Sequence, residues 1–292
     1  MSEPGACFHG RMDGAALAEV VAEYARLGEG LTDPRVLRDF RRARRVRRSL
    51  EALAPLHDRA VRLLALREDL AAARDLAAED SGWAAEAERL AAACARAEAW
   101  LAADLAGRDR YDPYDVIVTI EGDPQDVRLL RMYCLARAGG RGWRTEPLDG
   151  EPGPAGRTVV AITAGEGGPG AWSVLKGENG VHRVGDRAAR VTVRPDADES
   201  VVRPGADWDW RIDLACTRAP HPPPALRVTH LPTGTAFAGV AADAHRAHRN
   251  AWRQALAWSL AGEIGEGEPA HRFLHPGKEP VRVHRPGALH PA

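Results

Sequence analysis

The sequence predicts an α+β fold: an N-terminal helical hairpin or bundle, a central α+β domain, and a small β-rich third domain closed by a C-terminal helix. Three observations carry this expectation. Trp83, Ala87, Leu90, Cys94, Ala97, Leu101 and Leu105 recur at steps of three and four, the spacing of one apolar helix face. At Arg110 the texture changes, and a short β-branched run, Val116 to Ile120, opens a mixture of strand and helix. From Arg211 onward, apolar and polar residues alternate in short segments, as paired strands require.

The totals bound the function classes. With 292 residues, 45% hydrophobic and 28% charged, the chain is long enough for two or three domains with real cores. Its net charge is −1, so a basic surface for a nucleic acid has to be local. Cys7, Cys94, Cys134 and Cys216 show no CxxC spacing, which argues against a disulfide framework or a zinc knuckle and fits a reduced cytoplasm. No apolar run approaches ~18–20 residues and no basic-then-apolar leader opens the chain, so neither a membrane span nor a signal peptide is expected.

The elements follow in order. Residues 13–28 fit a helix with Leu17, Val20, Val21 and Tyr24 on one stripe, stopped by Gly28 and Gly30. Asp33-Pro34 suits the start of the next. Residues 35–78 read as one long or broken helix, which Pro55 is expected to kink or divide. Asp80-Ser81-Gly82 breaks the chain, and the stripe from Trp83 then packs back as the second arm of a hairpin until Gly107. Beyond Val116–Ile120, Gln125 to Arg137 is expected as helix, and Thr158–Ala161, Trp172–Leu175 and Val191–Val193 as strands. Arg211–Leu214, Ala225–His230 and Thr235–Val240 form a further strand set, with a turn at Pro232-Thr233-Gly234. Ala241 to Ala261 closes it as a helix, and a basic, proline-rich tail without clear periodicity follows Gly265. The expected divisions are 1–108, 109–205, 206–264 and the tail 265–292.

Four collinear segments carry a family resemblance. LLRMY (Leu129–Tyr133) with Gly142-Trp143, and GAWSVLKGENGVHRV (Gly170–Val184), look like the second domain of bacterial class I peptide chain release factors. Arg211-Ile212-Asp213 with VTHLPTG (Val228–Gly234), and then His248-Arg249-Asn250, resemble the third domain and the helix after it. The resemblance spans about residues 110 to 260 and implies an α+β fold acting in the cytoplasm, with the ribosome and its RNA, or a tRNA, as partner. Neither DNA nor a membrane is expected, and no cofactor.

Three departures bear on function. In the family a Gly-Gly-Gln tripeptide on the third-domain loop promotes peptidyl-tRNA hydrolysis. Here that loop, Ala215 to Pro224, reads ACTRAPHPPP, with no glycine and no glutamine. Hydrolysis needs water held at the carbonyl and donors aimed at the oxyanion. Pro222, Pro223 and Pro224 have no N–H and fix φ near about −65°, so they do not imitate a glycine turn. The family also carries a loop that reads the stop codon after His-Arg-Val; here Gly185 to Arg190 runs almost at once into the strand around Val191–Val193. The link Glu121–Gln125 is shorter than the family's glycine-rich segment.

Candidate site residues fall into three groups. RVLRDFRRARRVRRS offers Arg41, Arg44, Arg45 and Arg48 as a basic face for ribosomal RNA, against a plain solvated helix face paired with Asp39 and Glu51. The resemblance gives His248, Arg249 and Asn250 contacts to RNA phosphates. In the degenerate loop, Arg218 and His221 are the only plausible donors beside the three prolines, and no catalytic residue is assigned. His221, His245 and His248 make a metal site conceivable, but no acidic or thiol ligand stands at a supporting spacing, so none is assigned. Glu178 with His182 could be read as an acid–base pair and is expected instead as a structural turn. Ala164–Gly170 lacks the Gly-Lys-Ser/Thr ending of a phosphate loop. The expected function is binding at the ribosome or to a tRNA-like partner, with neither codon reading nor hydrolysis. Two alternatives stay open: an active termination or rescue factor using non-standard residues, and a diverged binding or scaffold protein outside translation.

Overall fold

The structure is a computed structural model and describes residues 14–148, 156–165, 168–184, 186–198, 201–202, 210–215, 225–231, 235–240, 244–274 and 281–284. The chain divides into two compact units, Met1–Arg108 and Asp109–Ala292. Among the described residues no helix is long and apolar enough to cross a membrane.

The first unit is helical: α1 (Gly14–Gly30), α2 (Pro34–Leu37), α3 (Phe40–Glu79) and α4 (Ala84–Ala106). Asp33 caps α2 by accepting from Arg35 N at 2.8 Å, with Pro34 in the first turn, where its missing N–H costs nothing. Asp39 caps α3 by accepting from Arg42 N at 3.0 Å. At the other end Asp80 accepts from Gly82 N at 2.9 Å and turns the chain into α4. Ion pairs Arg67–Glu98 and Arg59–Asp104 fix the antiparallel register of α3 and α4. Leu17, Leu56, Leu63, Leu70, Leu90, Cys94 and Leu101 fill the seam, each buried leucine contributing about 1.5–3 kcal/mol.

Of the alternatives expected at Pro55, division does not occur: α3 runs unbroken through it for 40 residues. A proline removes one ladder donor and crowds the preceding turn's carbonyls. Nearby, Arg108 Nη1 donates to the Ala52 carbonyl at 2.8 Å, a side-chain bond beside the perturbed turn.

The second unit holds a six-stranded sheet of β1 (Val116–Gly122), β2 (Arg144–Pro147), β3 (Arg157–Thr163), β4 (Gly180–Val184), β5 (Arg187–Pro195) and β9 (Val281–His284). Their order is β2-β3-β1-β5-β4-β9. Pairing is antiparallel except between β4 and β9, which run parallel. A separate meander holds β6 (Trp210–Ala215), β7 (Ala225–His230) and β8 (Thr235–Val240), with Ile212 opposite Val228 and Val228 opposite Phe237. Helices α5 (Pro124–Gly139) and α6 (Ala171–Leu175) cover one face of the large sheet, where Val118, Val127, Leu130, Val160, Trp172 and Val193 pack together. From α7 (Ala244–Glu263), Ala257 meets Ile117, Val159 and Ala161 on the opposite face. Gly156, at φ +59°, takes a conformation that side chains avoid, and a Cβ there would fall 2.2 Å from the Gly122 carbonyl oxygen.

One sequence expectation is corrected. Trp172–Leu175 is the short helix α6 and not a strand, because a run of a few apolar residues has no period of its own. Trp172 is fully buried, and its Nε1 donates to Asp109 at 2.9 Å. The basic tail, whose lack of clear periodicity announces no element, holds α8 (His271–Leu274) and then β9 at the edge of the large sheet. Strand β9 inverts the usual pattern. Val281 and Val283 face solvent, while Arg282 and His284 turn inward.

Candidate functional site

The segment Gly170–Val184 is organised by buried polar ties. Lys176 Nζ donates to Asp109 at 2.9 Å and to Asp112 at 2.7 Å, while burial pushes the Asp112 carboxyl above its usual range. Asn179 Oδ1 accepts from Val193 N at 3.0 Å, joining the turn to β5. The Glu178 carboxylate accepts from Arg137 at 2.5 Å and lies 3.6 Å from Arg282. His182 Nε2 donates to the Glu178 carbonyl at 2.8 Å, and its Nδ1 lies 2.9 Å from His284 Nε2. With Glu178 held between two guanidiniums and His182 only 2% exposed, the pair has neither a free base nor access for a substrate. Its role is to seat β4 and β9. Cys134 packs nearby, its thiol pushed up to about 12 by burial, so it is no nucleophile.

The strand after this segment ends abruptly. Val184 pairs with Arg187, so two residues, 185 and 186, separate β4 from β5.

The candidates at the start of α7 are drawn into the fold. Arg249 pairs with Glu146 at 2.5 Å, and Asn250 is 4% exposed with its amide 3.4 Å from the Leu148 carbonyl. Asn250 is therefore a packing residue here and not a surface group. One turn on, Arg253 binds Asp196 at 2.6 Å and Glu146 at 2.8 Å. The sequence reading missed this arginine and both acids, since they lie 57 and 107 residues apart in the chain. His248 lies in α7, but its side chain is outside the described residues.

In the helical unit Arg48 is 1% exposed, so it is not available to a polyanion. Arg41, Arg44 and Arg45 are partly exposed, and Arg44 lies over the Phe40 ring at 5.8 Å. Asp39, expected as an ion-pair partner, serves as the helix cap. The loop with Arg218, His221, Pro222, Pro223 and Pro224 lies outside the described residues. Among the described residues no group of three or more His, Cys, Asp or Glu is placed to hold a metal ion.

Comparison with known proteins gives this geometry a family. Residues 20–190 match the PCRF domain. The chain is 38% identical over 246 residues to peptide chain release factor 1 of Acidothermus cellulolyticus, covering 75% of this chain and 67% of that one. It is 37% identical over 246 residues to peptide chain release factor 1 of Frankia casuarinae, covering 74% and 68%. RF2 of Thermus thermophilus aligns over 91% of this chain and 85% of that one, with 23% identity and a TM-score of 0.46, too distant to place any element. The domain match extends over more than half of the chain, and with those relatives it leads to one conclusion: the chain belongs to the class I peptide chain release factor family.

Proposed function

We propose that this protein engages the ribosome, or a tRNA-like partner at it, in the cytoplasm as a release-factor-like protein that neither reads a stop codon through the β4–β5 loop nor hydrolyses peptidyl-tRNA. The observation that carries the reading is the β4–β5 register. Val184 opposite Arg187 leaves two residues where the resemblance calls for a codon-reading loop. Two residues cannot span from a sheet edge to a base while still closing a hairpin, since each residue reaches at most about 3.3–3.6 Å. The sequence of the third-domain loop supports the second half of the reading. ACTRAPHPPP has neither the conformational freedom nor the backbone donors that the family's tripeptide supplies. Exposed arginines on and beside α2 and α3, among them Arg35, Arg38 and Arg42, fit a polyanionic partner.

Two measurements on the whole protein test this. Cosedimentation with ribosomes at several salt concentrations is expected to show binding that weakens as salt rises. Release of labelled peptide from a stalled ribosomal complex is expected to stay at background. Release far above background overturns the non-hydrolytic reading, and failure to pellet with ribosomes or to bind tRNA at any salt overturns the translational one.

A further inference from the structure

The face of the large sheet that meets α7 also carries a concentration of arginine. Register fixes which side chains share it. Glu121 of β1 stands between Arg157 of β3 and Arg190 of β5. Ile117, which packs on Ala257 of α7, lies on the same face and stands opposite Arg194. Arg190 stands opposite Val181 of β4, so Arg183, two residues on, lies on that face as well. Four arginines of β3, β4 and β5 thus share one surface, in a chain whose net charge is −1. The acids beside them are already engaged. Glu121 accepts from Arg157 Nε at 3.1 Å, and Glu146 of β2, opposite Ala161, is taken up by Arg249 and Arg253.

Arg194 is the most deeply buried of the four. It is 8% exposed, and among the described residues it makes no ion pair. Its Nε has no hydrogen-bond partner, and its guanidinium lies 3.5 Å from the ring centroid of Trp258 on α7. Burial lowers its pKa to about 10. Glu121 attracts it from the same face, but that carboxylate is shared with Arg157. Arg183 and Arg190 stand exposed on the same face, and Trp258 is 39% exposed at its margin. Arginine forks suit phosphate oxygens, and an indole suits the face of a base.

We propose that this sheet face binds an RNA strand through its phosphate backbone, with the exposed Arg183 and Arg190 as phosphate contacts, the half-buried Arg157 beside them and Trp258 at the edge, while the buried Arg194, packed on the Trp258 ring, adds charge from behind. The choice of RNA over another polyanion rests on the translational reading above. None of these arginines belongs to the helical unit or to the start of α7.

The test uses the full chain and a labelled oligouridylate about 12 nucleotides long, with affinity followed against salt. Arg183→Ala and Arg190→Ala, both at exposed positions, are expected to weaken binding several-fold each and to lower the salt slope by about 1 each, with the melting temperature unchanged. Trp258→Ala is expected to weaken binding about tenfold. Arg89→Ala, at an exposed site in the helical unit, is expected to leave affinity unchanged. Unaltered affinity and slope in both sheet variants overturn the proposal. So does equal binding of polyglutamate of the same length with the same losses, which assigns the face to acidic polypeptides. Ribosome cosedimentation separates the two readings. Arginine-dependent oligonucleotide binding without ribosome binding removes the ribosomal reading alone, and ribosome binding with insensitive oligonucleotide binding removes this face alone.

Discussion

His182 Nδ1 lies 2.9 Å from His284 Nε2, and the two rings stack 5.0 Å apart at an interplanar angle of 16°. The tautomers follow from the partners. The Glu178 carbonyl only accepts, so neutral His182 carries its proton on Nε2 and accepts on Nδ1 from His284 Nε2–H. Protonating either ring would place a new cation beside Arg282, and protonating both would set cation against cation, with Glu178 opposing.

That relationship makes stability depend on pH. Burial, the largest cause, holds both histidines below their ordinary 6.5, so between the folded and unfolded values the unfolded chain binds more protons. Their contribution is fully present above about pH 6.5 and is lost as pH falls below it. The melting temperature is expected to fall between about pH 7.5 and about pH 5.5, and His284→Gln is expected to flatten the fall. Amide exchange at 281–284 that does not quicken on acidification would contradict this account.

Arg253→Ala is expected to destabilise the second unit by about 3–5 kcal/mol, because it strands a buried carboxylate. Asp196 has a side chain only 4% exposed and loses its 2.6 Å partner. Urea unfolding at neutral pH measures the loss. Arg253→Lys is expected to recover only part, since an ammonium cannot bridge Asp196 and Glu146 as a fork does.

Within the helical unit, two neighbouring positions on α3 separate core from surface. Leu63 is fully buried and Val61 is 45% exposed. Leu63→Ala is expected to cost about 2–5 kcal/mol and Val61→Ala no more than about 0.5 kcal/mol. Thermal melts followed by helical circular dichroism check the contrast.

Gly170→Ala is expected to cost about 1–3 kcal/mol through overpacking. The added carbon would sit 2.4 Å from both the Asp112 carbonyl oxygen and the Pro113 carbonyl carbon, backbone atoms that cannot swing aside. Chemical denaturation of the variant, with the Lys176–Asp112 contact monitored by the Trp172 fluorescence beside it, reads the effect.

Legibility from the sequence followed the range of the forces. Helices α1, α3 and α4 and strands β1, β6, β7 and β8 were readable because their apolar period is local. Segment Trp172–Leu175 is too short to show a period, and the tie that anchors it, Trp172 Nε1 donating to Asp109, is a contact 63 residues away in sequence. Strand β9 was invisible for a similar reason: its inward residues are Arg282 and His284, so its hydrophobic pattern points the wrong way. The motif around Gly170–Val184 points to the family and to a structural turn, but not to the turn's partners. Glu178 and His182 are structural, as expected, but the distant strand that they seat is not announced by any local pattern.

Strand β9 also sets an order of assembly. A nascent chain emerges from its N-terminal end, so β4 is made about a hundred residues before the neighbour that covers its edge, as the 102-residue gap from His182 to His284 measures. During synthesis that edge stays open with unmet backbone donors and acceptors, a template for stray pairing between chains. Completion of the sheet is thereby deferred until residues 281–284 have left the ribosome.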